Sequence, residues 1–123
     1  MRKPIYFWII FVFAVVLRLT LLSYTPPSLN WDEVSHGYNA YSILKTGRDE
    51  WGKKLPSIFR AYGDYKLPAY VYLLTPFVAA FGLNEFSVRL LSALAGIGTV
   101  IFTYLLTKKF FGEKVGLLAM FLI

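Results

Sequence analysis

Ile5 to Tyr24 is a 20-residue apolar run broken by a single charge, Arg18, and no other feature limits the fold as strongly. As a helix rising 1.5 Å per residue it reaches about 30 Å, the thickness of a bilayer's hydrocarbon core. In water, a chain of 123 residues that is 57% hydrophobic and 19% aromatic has too little interior to hide so much apolar surface. Lipid is the better solvent. Arg2 and Lys3 precede the run and no small-x-small cleavage pattern follows it, so it reads as an uncleaved anchor with a cytoplasmic N-terminus. Arg18 lies about 9 Å along the helix from Tyr24, close enough to snorkel outward as an interface anchor or to face an anionic head group.

The remaining charges fit the same picture. The net charge is +6, but Arg2, Lys3, Lys108, Lys109 and Lys114 flank apolar runs rather than forming a patch, which speaks against a nucleic-acid partner. With no cysteine, disulfides and thiolate metal sites are excluded. Thr25-Pro26-Pro27 closes the first helix, because proline lacks a donor and restricts the residue before it. Residues 1–24 thus form the cytoplasmic N-terminus and first span, and 25–85 an external loop.

Two further apolar runs set the topology. Residues 68–81, "PAYVYLLTPFVAAF", reach only about 21 Å as a helix, too short to cross unaided. Residues 86–107 are long enough. If both crossed, Lys108, Lys109 and Lys114 would fall outside, against the positive-inside rule, so 68–81 is predicted to be a juxtamembrane helix. The stretch 86–107 becomes the second span, with small residues Ser92, Ala95, Gly96 and Thr99 for close helix packing. A cytoplasmic loop follows at 108–114, and 115–123 reads as the start of a third span that the chain leaves unfinished. The predicted fold class is an all-α integral membrane protein whose external loop bears amphipathic juxtamembrane helices.

Within the loop, residues 30–46 read as a helix. Asn30 and Glu33 form a capping box, Gly47 closes the other end, and Val34, Tyr38, Tyr41 and Leu44 recur as one apolar stripe suited to a membrane surface. Capping explains Glu33 and tolerates Asp32, where the helix dipole favours negative charge. The chemical alternative is that Asp32 acts as a general base at the membrane surface, with Glu33 orienting it or the substrate. His36, one turn on, is a metal ligand or a packing histidine. In "YGDYKLP", residues 62–68, Lys66 either anchors at head-group depth or binds a lipid phosphate. Asp64 either pairs with Lys66 or Arg60 or holds a divalent cation. Tyr62, Tyr65, Tyr70 and Tyr72 suit an interfacial belt or stacking on sugar rings.

In chain order these pieces become specific. "LRLTLLS", then "WDE", then a helix ending "LKTG", then "DYKLP", then "FGLNEFSVRLLSALAG" resemble the membrane-embedded GT-C glycosyltransferases, in the branch of the protein O-mannosyltransferases and the lipid A aminoarabinose transferase. The resemblance runs from about Arg18 to Ile123. It implies a partial GT-C fold and transfer of a sugar from a polyprenyl-phosphate donor, on the external face of the cell membrane, to a hydroxyl of a protein, lipid or glycan acceptor. It also implies Asp32 as the catalytic base, Glu33 as its support in substrate binding, and Lys66 as the contact to the carrier phosphate. Some relatives place a metal-binding glutamate directly before that lysine. Here Tyr65 stands there, leaving Asp64 as the substitute ligand for a possible divalent metal. The competing reading is a non-catalytic small membrane interaction protein of the same architecture.

Overall fold

The computed structural model describes residues 4–123. The helices are α1 (Ile5–Leu19), α2 (Trp31–Thr46), α3 (Pro68–Phe81), α4 (Glu85–Phe111) and α5 (Glu113–Leu122). A hairpin of β1 (Phe59–Ala61) and β2 (Asp64–Lys66) lies between α2 and α3. The chain divides into two compact units, Leu21–Leu91 and the residues through Thr20 with Ser92–Ile123.

In the second of these units α1 packs with α5 and the body of α4 around Phe7, Ala14, Val100, Tyr104 and Met120. The Phe7 and Tyr104 rings meet at 4.8 Å. Arg18 lies across Gly96, where an added Cβ would come within 3.0 Å of its Nε. Glycine is what lets the guanidinium pass. Much of the outer surface is apolar: Trp8, Ile9, Val12, Phe13 and Val16 line an open groove on α1, and Phe102, Leu105 and Leu106 stand out from α4. Among the described residues, α4 is the one helix long and apolar enough to cross a membrane.

Two boundaries differ from those read in the sequence. Helix α1 ends at Leu19, not at Tyr24. Thr20 is already extended and its hydroxyl turns back to the Val16 carbonyl, while Leu21 takes a left-handed φ of 63°. A branched side chain at positive φ is costly, and the turn is bridged by the Tyr24 and Thr25 N–H groups, both donating to the Leu21 carbonyl at 2.9 Å. At the other end, α4 runs on through Lys108 and Lys109 to Phe111, so the expected loop at 108–114 shrinks to the turn at Gly112, with φ 87°.

In the unit Leu21–Leu91, α2 packs on α3 over a core of Ala40, Phe59, Val71, Leu74, Val78 and Val88. The buried face of α2 is small or polar: Ser35, Gly37, Asn39 and Ala40. A Cβ on Gly37 would lie 2.7 Å from Val88 Cγ2, so glycine sets how closely the helix approaches. The apolar stripe of Val34, Tyr38, Tyr41 and Leu44 faces outward instead. The ends of α2 are built as the sequence pattern predicts. Asn30 Oδ1 accepts from Glu33 N–H at 2.8 Å, Glu33 Oε2 accepts from Asn30 N–H at 2.9 Å, and Gly47 is left-handed.

The hairpin is a local exception to an all-α fold. Its antiparallel register pairs Phe59 with Lys66, Arg60 with Tyr65 and Ala61 with Asp64. Phe59 and Ala61 point inward, and both turn residues, Tyr62 and Gly63, have positive φ (49° and 82°). Tight hairpins require that geometry, and glycine adopts it freely while tyrosine does not. Pro68 then opens α3, and the Asn84–Ser87 pair opens α4: Asn84 Oδ1 accepts from Ser87 N–H at 2.9 Å, and Ser87 Oγ donates to the Gly82 carbonyl at 2.7 Å.

Candidate active site

The acid pair at the start of α2 splits in two directions. Asp32 Oδ1 accepts a charged hydrogen bond from Lys66 Nζ at 2.7 Å, and Lys66 also reaches Asp64 Oδ2 at 3.3 Å. Glu33, one residue along, turns to Arg89 on α4, at 2.9 Å from Nε to Oε1 and 3.3 Å from Nη2 to Oε2. Helix geometry explains the divergence, because consecutive residues point about 100° apart around the axis.

Arg89 is 6% exposed and every one of its N–H donors is used. Besides Glu33, Nη1 donates to the carbonyls of Leu22 (2.8 Å) and Pro26 (2.9 Å), and Nη2 to that of Ser28 (2.9 Å). These carbonyls belong to the segment that follows the left-handed Leu21. The guanidinium thus satisfies the polar backbone freed where the first helix stops, and ties it to the α2 cap. The Arg89 hydrogen bonds hold the Glu33 carboxyl below the usual glutamate range, against the opposing effect of burial and with help from Asn30 N–H. In the sequence Arg89 stands out only as a charge near the start of a long apolar run and is not among the candidate site residues. The usable signal was that a cation in an apolar helix demands a partner.

The Asp32 side is more open. Asp32 and Asp64 are 61% and 72% exposed, whereas Lys66 is 20% exposed. The Lys66 hydrogen bond, then its charge, pulls Asp32 below the ordinary aspartate value; Asp64 falls too, first through the Tyr65 N–H on its Oδ1 and then through Lys66. In return Lys66 is raised by Asp32 first and Asp64 second. All three are therefore charged at neutral pH. His36 is half-buried with its ring 4.8 Å from that of Tyr70, and burial lowers its pKa despite the nearby Asp32, so it is neutral.

Of the residues singled out in the sequence, Asp32, Asp64 and Lys66 come together, while Glu33 is drawn off to Arg89. Among the described residues no group of three His, Cys, Asp or Glu could hold a metal ion. Asp32 and Asp64 share one ammonium, and both Asp64 oxygens are engaged, Oδ1 by Tyr65 N–H and Oδ2 by Lys66.

An ionised carboxylate is thus held against a lysine just before an apolar helix. Residues 66–123, just under half of the chain, match the model of a membrane glycosyltransferase family, described as dolichyl-phosphate-mannose-protein mannosyltransferase. The GT-C resemblance is borne out over that stretch. No curated protein and no solved structure matches the chain. Asp32 and Glu33 lie before the matched residues, yet each contacts a side chain within them, Lys66 and Arg89 respectively.

Proposed function

We propose that the protein acts in glycosyl transfer from a polyprenyl-phosphate-linked sugar to an acceptor hydroxyl at the external membrane surface. The observation that carries this reading is the 2.7 Å bridge between Asp32 and Lys66, which unites a base and a cation from separate motifs. In the reaction, the acceptor oxygen bonds to the anomeric carbon and its proton passes to Asp32. The anomeric C–O bond breaks, and its electron pair leaves on the carrier phosphate. Two of the three Lys66 N–H donors serve Asp32 and Asp64, leaving one for that phosphate oxygen, where charge develops. Asp32 is ionised in the resting site and so is ready to accept a proton, although the same lysine weakens it as a base. Glu33 supports the site indirectly, by fixing the first turn of α2 to Arg89.

The test is transfer by membranes holding the full protein, given a panel of polyprenyl-phosphate sugars and hydroxyl acceptors. Product is expected with the wild type and not with Asp32→Asn. Equal turnover by the two would remove Asp32 as the base, and no turnover with any donor would favour a non-catalytic membrane protein. The external face is tested with Lys53→Cys in this cysteine-free chain, which should react with an impermeant maleimide added to intact cells. Labelling only after permeabilisation would reverse the orientation.

A further inference from the structure

The connection from α2 to the hairpin, residues 47–58, is held by more bonds than a linker needs. Asp49 is buried, and its Oδ1 accepts from Trp51 N–H at 3.0 Å and from Lys53 N–H at 2.8 Å. Buried Asn39 trades two hydrogen bonds with Glu50: Nδ2 donates to Glu50 Oε1 at 3.0 Å, and Oδ1 accepts from Glu50 N–H at 3.2 Å. Both acids of the loop thus serve its shape. Outward it presents Trp51, 61% exposed, and the exposed Lys53 and Lys54. The indole does not swing free. Its N–H donates to the Arg60 carbonyl at 2.9 Å, and the Arg60 guanidinium lies over the ring, 4.9 Å from its centroid. Arg60 pairs across the hairpin with Tyr65, which is 63% exposed.

Paired strand residues share a face, and that face alternates along the strand. Phe59 and Ala61, on either side of Arg60, are buried, and Lys66 and Asp64 stand opposite them. Arg60 and Tyr65, with Trp51 under the guanidinium, therefore gather on the other face of the hairpin from Lys66. Among the described residues Arg60, Lys53 and Lys54 have no ion-pair partner. A held aromatic ring beside an unpaired, planar cation fits a ligand with an apolar ring face and a negative charge. The charge is modest: Arg48, Lys53, Lys54 and Arg60 against Asp49 and Glu50 leave +2. That suits one or two anionic groups rather than a nucleic acid, which carries one per phosphate. The indole N–H is spent inward, so the ring offers its face and not the polar edge by which tryptophan sits at a lipid interface. A pyranose with a carboxylate meets each requirement, since its C–H face stacks on a ring and its carboxylate matches the guanidinium fork. We propose that Trp51, Arg60 and Tyr65 bind an acidic sugar, a uronic-acid unit of a glycan, at a site separate from Asp32 and Lys66. The site stands on this surface alone and does not depend on the transfer reaction.

The experiment is equilibrium binding of an oligogalacturonate to the whole protein in nanodiscs of neutral lipid, followed by calorimetry. Arg60→Gln is the leading variant, because the side chain is exposed and the backbone carbonyl that Trp51 uses is kept. Trp51→Ala is the second. Each should weaken binding about tenfold, the order carried by one charge-assisted contact or one aromatic face. Lys109→Gln, which removes a charge from α4 in the other compact unit, should leave binding unchanged. A neutral oligogalactose and a short polyphosphate should both bind more weakly than the uronate. Binding that Arg60→Gln and Trp51→Ala both leave intact would overturn the site, as would a wild type that binds no oligogalacturonate. Equal affinity for polyphosphate would replace it with a general anion patch. Loss of uronate binding in nanodiscs of phosphatidylglycerol would overturn it in favour of a lipid-facing surface. Sugar transfer enters none of these readouts, so failure here leaves the proposed function standing.

Discussion

Arg89 and Lys66 each hold one acid of the Asp32-Glu33 pair, yet the two sites are built for different ends. The arginine is 6% exposed, and its five donors are spent on Glu33 and on three backbone carbonyls. The lysine has a donor to spare and binds carboxylates that are mostly exposed. A saturated planar cation fixes geometry; an unsaturated point charge can take a ligand. Adjacent acids in one helical turn therefore divide by partner, Glu33 to a buried, saturated arginine and the exposed Asp32 to a lysine, and it is the second pair that the proposed function uses.

The sharpest way to break this contrast is Arg89→Leu. It strands Glu33 and three carbonyls in a covered site, and should cost about 3 kcal/mol or more. Thermal unfolding of the protein in detergent should show a large drop, and an unchanged midpoint would deny the clamp its structural role. Asp32→Asn should do the opposite, reducing transfer by about 10² or more while the midpoint stays in place. A parallel loss of stability would make Asp32 a scaffold residue as well.

Gly37→Ala probes the packing beside the clamp. The new Cβ meets Val88 Cγ2 at 2.7 Å and Leu83 Cδ1 at 3.2 Å, and Val88 is a stiff, buried neighbour of Arg89. A cost of about 1 kcal/mol is expected, read from the same unfolding curve. A gain in stability would mean that the packing relaxes freely.

The smallest effect concerns pH. The Asp32 pKa is depressed by Lys66, so the bridge persists above the ordinary aspartate value of about 3.9 and is lost as pH falls through the lower folded value. The Lys66 pKa is raised, so on the basic side the bridge persists to beyond the ordinary lysine value of about 10.4. Carboxyl titration followed by NMR should move Asp32 upward in Lys66→Gln. An unmoved titration would show that another group sets it.

Some of this could be read directly along the chain. The α2 cap needs only Asn30, Glu33 and Gly47 at fixed spacing, and the period of Val34, Tyr38, Tyr41 and Leu44 correctly marks one face. That face points outward, because the side chains of α3 (Val71, Leu74 and Val78) need small partners and find Gly37 and Ala40. Periodicity identifies a stripe and leaves open what covers it. The three-residue strands are too short to show an alternation, and α1 stops at Leu19, before the Thr25-Pro26-Pro27 break that the sequence offers.

By itself the sequence determined the helical segments, the residue types fit for chemistry, and their order along the chain, because each depends on local spacing or side-chain identity. It already set Glu33 apart as a cap and Asp32 as the candidate base, without naming the partner of either. Tertiary structure supplied the partners: Glu33 meets Arg89 across 56 positions, and Lys66 lies within 2.7 Å of Asp32. Electrostatics inside a fold depends on distance in space and on access to solvent, and a sequence specifies neither until α2, the hairpin and the start of α4 have packed together.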